Sequence, residues 1–147
     1  MITNNDREYR NDEEIEALVH EFESFRIEPA HFKHRQHLTV ALVYVRSLGE
    51  RLALEKLRTN ILKFVEHNHI DPVLYHETIT RFWIKRIYVF LKSQDEMADR
   101  SLATLANVLL LESGDSRLIN RYYSQGLLDS DDARKNWIEP DRIPFDF

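Results

Sequence analysis

The stretch Leu38-Thr39-Val40-Ala41-Leu42-Val43-Tyr44-Val45-Arg46-Ser47-Leu48-Gly49-Glu50 decides the fold. Leu38, Ala41, Leu42, Val45 and Leu48 recur at intervals of three and four, which puts them on one helical stripe, and Gly49 follows as a C-terminal cap. Residues 50–66 then carry Leu54, Leu57, Ile61, Phe64 and Val65 at helical spacing. So short a connection predicts that the two helices fold back on one another as an antiparallel hairpin.

The same periodicity extends in both directions. Asp12 is placed to cap a first helix bearing Ile15, Leu18, Val19, Phe22 and Phe25, with Glu13 and Glu14 near its positive end and Pro29 beyond it. Pro72 is placed to open a helix running to about residue 93, apolar on much of its circumference and therefore central. Ser101 caps a further helix, Gly114 separates it from a short one at residues 117–123, and a last turn begins at Ser130. Pro140 and Pro144 oppose helix while Ile138, Ile143 and Phe145 oppose disorder, which predicts an extended tail lying on the bundle. The expectation is an all-α, single-domain bundle of five or six helices over residues 1–147, with 1–10 flexible and 138–147 forming that tail.

Composition agrees and narrows the chemistry. A chain of 147 residues with 43% hydrophobic and 31% charged residues, three Gly and four Pro suits a helical domain better than a turn-rich sandwich. The absence of Cys removes disulfides, thiolate nucleophiles and thiolate-bound metals, so any metal must be held by His and carboxylate. A net charge of -5 argues against non-specific nucleic-acid binding. The polar start predicts no secretory leader, and no apolar run is long enough for a bilayer, so a cytoplasmic protein without membrane contact is the default expectation.

The residues that carry possible chemistry lie in two segments, Phe32-Lys33-His34-Arg35-Gln36-His37-Leu38 and Tyr75-His76-Glu77-Thr78. Residues three apart on a helix have Cβ atoms about 5–6 Å from one another, so His34 and His37 can share a ligand, a proton or a metal. If the first turns of their helix and of the helix from Pro72 meet at one end of the bundle, His76 joins them. Three readings follow. In the first, His34, His37, His76 and Glu77 hold a divalent zinc or iron ion, although the spacing lacks the His-Glu-x-x-His pattern of zincins. In the second, His34 or His37 acts as acid or base without metal while Tyr75, Glu77 or Arg35 binds and orients a small molecule; across the enzyme readings Glu77 and His37 are the catalytic candidates and Tyr75, Arg35 and Thr80 the ligand-binding ones. In the third, these side chains complete a structural hydrogen-bond network at helix starts.

The two segments, followed by Trp137-Ile138-Glu139-Pro140-Asp141, resemble a family of small, uncharacterised bacterial proteins with the order Phe-x-His-x-x-His-Leu, Tyr-His-Glu-Thr and a terminal Glu-Pro-Asp. The likeness covers roughly residues 30–141. It implies that the proline-containing tail belongs to the fold and that His34, His37, His76 and Glu77 are signature positions, and it implies no reaction. Two functions are thus expected: a small-molecule enzyme, metal-assisted or not, or a non-enzymatic ligand-binding or regulatory module.

Overall fold

A computed structural model describes residues 7–94 and 100–147, and among these every regular element is a helix. They are α1 (Asp12–Glu23), α2 (His34–His67), α3 (Glu77–Ser93), α4 (Leu102–Ser113), α5 (Gln125–Leu128) and α6 (Asp131–Lys135), with 3-10 turns at Pro29–His31, Pro72–Leu74 and Ser116–Arg121. No described helix is long and apolar enough to cross a membrane.

The reversal at Gly49 organises the bundle. The span α2 holds two helices that meet at Gly49, whose φ 79° and ψ 177° are non-helical and lie in a backbone region essentially reserved for glycine. The halves on either side fold back, as the stripe pattern predicts: Asn60 Nδ2 donates to the Tyr44 hydroxyl at 2.9 Å, a pair that a straight helix would hold about 24 Å apart. Tyr44 in turn donates to Glu23 Oε1 at 2.6 Å, which ties the end of α1 to both halves. Phe32, just before α2, has its ring 5.4 Å from Phe64 near the far end, and Phe22 of α1 stacks on Phe32 at 4.4 Å.

The core is shared between the first half of α2, where Leu38, Val40, Ala41, Leu42, Tyr44 and Val45 are buried, and α3, where Phe82, Trp83, Ile84, Ile87 and Phe90 are buried. α3 packs along α2 and also against α6, while Leu48 and Val89 stay partly exposed. The side of α3 that bears Phe82 receives the tail as expected. Phe145 and Phe147 pack on Phe82 and Tyr122, and Arg142 N–H donates to the Tyr122 carbonyl at 2.9 Å.

Three local expectations change. Asn11 caps α1, and Asp12 instead accepts from Ala103 N–H at 2.9 Å, so it serves the start of α4. Pro72 opens a single 3-10 turn, and α3 begins only after His76. Residues 117–123 form no α-helix; a 3-10 turn is followed by α5, whose cap is Ser124. Ser101 and Ser130 cap α4 and α6 as read from the sequence. Of the lead at 1–10, residues 1–6 lie outside the described residues, while Tyr9 exchanges two hydrogen bonds with Asn107 and is fixed in place.

A Cβ built on Gly49 meets no atom within 4 Å, so any penalty there is one of backbone conformation alone. Gly49→Ala is expected to lower the unfolding free energy by about 1–3 kcal/mol in urea titrations without changing the helical circular dichroism of the folded state.

Candidate functional site

α2 begins at His34 because Gln36 reaches back to the Lys33 N–H at 3.0 Å, and α3 begins at Glu77 because His76 caps it. Packing of α2 on α3 brings both starts to one cavity of about 300 Å³, with His34, His37, His76, Tyr75 and Thr80 among its lining residues. The rest of the wall is apolar: Leu38 and Ala41 from the first half of α2, Leu57 and Ile61 from the second, and Ile79 and Trp83 from α3. The three histidines therefore line one cavity, but each has separate work.

His76 has both ring nitrogens committed. Nδ1 accepts from Ile79 N–H at 3.1 Å, so Nε2 carries the proton and donates to the Leu128 carbonyl at 2.6 Å. Burial lowers its pKa, partly offset by the Leu128 carbonyl. His34 Nε2 donates to the Ser113 carbonyl at 3.0 Å, and its ring lies 4.5 Å from that of Trp83. Burial lowers its pKa as well. His37 packs against Phe32, ring to ring at 4.2 Å, and lines the cavity. Burial, reinforced by the neighbouring His34, lowers its pKa to about 4 against the weaker pull of the Phe32 carbonyl. At neutral pH all three imidazoles are uncharged.

Glu77 faces away from this cavity, into a neighbouring cleft. Its carboxylate accepts two hydrogen bonds from Arg58 Nε, at 3.0 and 3.2 Å, another from Arg58 Nη2, and one from the Tyr75 hydroxyl at 2.6 Å. Burial pushes the Glu77 carboxyl up, but Arg58 and Tyr75 outweigh it and hold the pKa below the usual range. The Tyr75 phenol is pushed up by burial and by Glu77. Thr78, the next residue, is buried with its hydroxyl 2.6 Å from both the Ala133 and Asn136 carbonyls, which fastens α3 to α6. Thr80 donates back to the His76 carbonyl at 2.8 Å, though its side chain also lines the cavity.

These commitments correct the metal reading. Among the described residues no three His or carboxylate side chains are placed to hold a metal ion together. The two nitrogens of His76 and the oxygens of Glu77 already have partners, so the donor set His34, His37, His76 and Glu77 does not fit zinc or iron. Glu77 is likewise removed from the acid–base pair expected with His37. Arg35 is corrected too: its guanidinium donates to the Arg7 carbonyl and lies 4.6 Å over the Tyr9 ring, away from the cavity.

Arg58 is the residue that sequence reading passed over. It falls on the stripe Leu54, Arg58, Ile61, Val65 at intervals of four, three and four, and a cation on an otherwise apolar face was the available signal. No family model, curated protein or solved structure matches the chain.

Arg58→Met removes the ion pair and leaves the Glu77 carboxylate with the Tyr75 hydroxyl as its side-chain donor. Because Arg58 keeps 36% of its side chain in solvent, the expected cost at pH 7 is about 2 kcal/mol, below that of a fully buried pair. In the native protein the lowered Glu77 pKa gives stability present above the unfolded value and lost as pH falls through the folded one. In the variant the Tyr75 hydroxyl and Arg81 still hold that pKa down, but the Arg58 contribution is lost and burial opposes the charge more effectively, so protonation costs the variant less than the native protein. The difference between the two proteins is therefore expected to shrink from pH 7 to pH 4 in urea titrations.

Proposed function

We propose that this chain is a non-enzymatic binding module that takes a small, largely apolar molecule with one polar group into the histidine cavity. The reading is carried by one observation: a cavity of about 300 Å³, walled by aliphatic side chains and Trp83, into which the uncharged His37 is set. That volume is at the low end for ligand sites, and a few polar groups in an apolar wall are what fix a ligand's orientation. His37 offers its imidazole as a hydrogen-bond partner without the cost of burying a charge.

Turnover is the less favoured alternative. A general base works best with a pKa near the operating pH, and a base near 4 takes up little proton at pH 7. The likeness to small bacterial proteins sharing the three motifs belongs to this reading. His34, His37, Leu38, Tyr75 and His76 of the first two motifs line this cavity, so chains with those motifs would build a similar wall, while Trp137 of the third lines the neighbouring cleft.

Trp83 in the wall provides the readout. In a panel of small neutral phenols, amides and alcohols, at least one compound is expected to change Trp83 emission and raise the thermal midpoint by mass action. Ala41→Trp, which fills the cavity, is expected to abolish both responses. A panel that changes neither emission nor midpoint contradicts the proposal, as does binding that survives the filled cavity.

A further inference from the structure

Beyond Tyr75 a second cleft of about 590 Å³ opens between the second half of α2, the Pro72–Leu74 turn, α3 and α6. It shares only the Tyr75 side chain with the histidine cavity. Arg58, Arg134 and Lys135 line it against two carboxylates, Glu77 and Asp131. Arg58 and Glu77 neutralise one another. Among the described residues neither Arg134 nor Lys135 forms an ion pair with a carboxylate. A further cation, Arg81, lies 5.1 Å over the ring of Trp137 at the cleft's edge. Glu139, which accepts from the Trp137 indole at 2.9 Å, offsets Arg81 there, so the excess is one positive charge among the lining side chains, in a chain whose net charge is -5.

Cations in the last turn of a helix are favoured by its dipole, and that alone would put Arg134 and Lys135 where they are. It does not account for what faces them. Pro72, Val73 and Trp137 form apolar walls in the same cleft, and Val73 is 49% exposed although a hydrophobic side chain gains by cover.

We propose that this cleft binds a small organic anion, its charged group paired with Arg134 and Lys135 and its apolar part against Val73 and Trp137. Arg134 supplies planar, paired donors and Lys135 a point charge, the combination suited to carboxylate or phosphate oxygens. Glu77 repels the anion from the Arg58 end, and Asp131 repels it from the first turn of α6, which fixes its orientation: charged group toward the last turn of α6, apolar group toward the Pro72–Leu74 turn. The proposal stands apart from the reading of the histidine cavity, and either can fail alone.

The test is calorimetric titration with phenyl phosphate and with inorganic phosphate at constant ionic strength. Phenyl phosphate is expected to bind more tightly than inorganic phosphate, and Arg134→Gln/Lys135→Gln to weaken it at least about tenfold. Val73→Asp changes an exposed wall position rather than a core one and is expected to weaken phenyl phosphate as well. Circular dichroism checks that both variants are folded. Absence of binding to the native protein overturns the proposal, and so does binding unaffected by the double substitution. Equal affinity for the two phosphates overturns the organic part of it.

Discussion

Everything that positions the site depends on the reversal at Gly49. A residue with a Cβ resists φ 79° with ψ 177°, and only with that backbone can one half of α2 lie along the other. The consequence reaches both ends of the hairpin. Tyr44 meets Asn60, Phe32 meets Phe64, and Leu38 and Ala41 face the same cavity as Leu57 and Ile61. The hairpin also carries Arg58 to Glu77, a residue of another helix, and so sets the electrostatics of the cleft behind Tyr75.

The second organising constraint is that polar groups taken out of water must be paired. Tyr75, His76, Glu77 and Thr78 stand where α3 starts, where backbone N–H groups lack helical partners and α6 packs close. Each side chain answers one such demand: His76 the Ile79 N–H and Leu128 carbonyl, Glu77 the Arg58 guanidinium, Tyr75 the Glu77 carboxylate, and Thr78 the end of α6. No fully buried side-chain nitrogen or oxygen among the described residues is left without a partner. A histidine with both nitrogens so used is a structural group, whatever its neighbours. All three rings border the cavity, and His37 differs in that, among the described residues, no carbonyl of a distant element holds its ring as Ser113 holds His34 and Leu128 holds His76; that difference separates a binding group from a fastening one.

Much of the fold was legible because apolar residues at three- and four-residue spacing must share a buried face. The stripes of residues 38–48 and 54–65 gave the hairpin, and Ser101 and Ser130 gave two helix starts. Starts were misread where the decision is tertiary. Asp12 and Asn11 are equally suited to cap α1, and only the approach of α4 assigns Asp12 to Ala103. Pro72 is compatible with either kind of helix, and α3 starts later because His76 caps it, with its ring held on the other side by the Leu128 carbonyl 52 positions away. α5, only four residues long, has too few positions to show a period. At the site, the meeting of His34, His37 and His76 was legible from spacing and topology. Their chemistry was not, because it depends on the carbonyls of Ser113 and Leu128 that the chain brings from afar.

The central claim is that three histidines meet as neutral imidazoles, with His76 fixed as the Nε2–H tautomer. Long-range nitrogen–proton NMR on the imidazole rings, followed from pH 7.5 to pH 4, reads tautomer and titration together. The account predicts a His76 Nδ1 signal typical of an acceptor nitrogen, a His37 midpoint near 4, and His34 and His76 midpoints below the ordinary value of 6.5, unchanged by zinc. A His37 that titrates near 6.5, or ring nitrogens of His34, His37 and His76 that shift together on zinc addition, would contradict it.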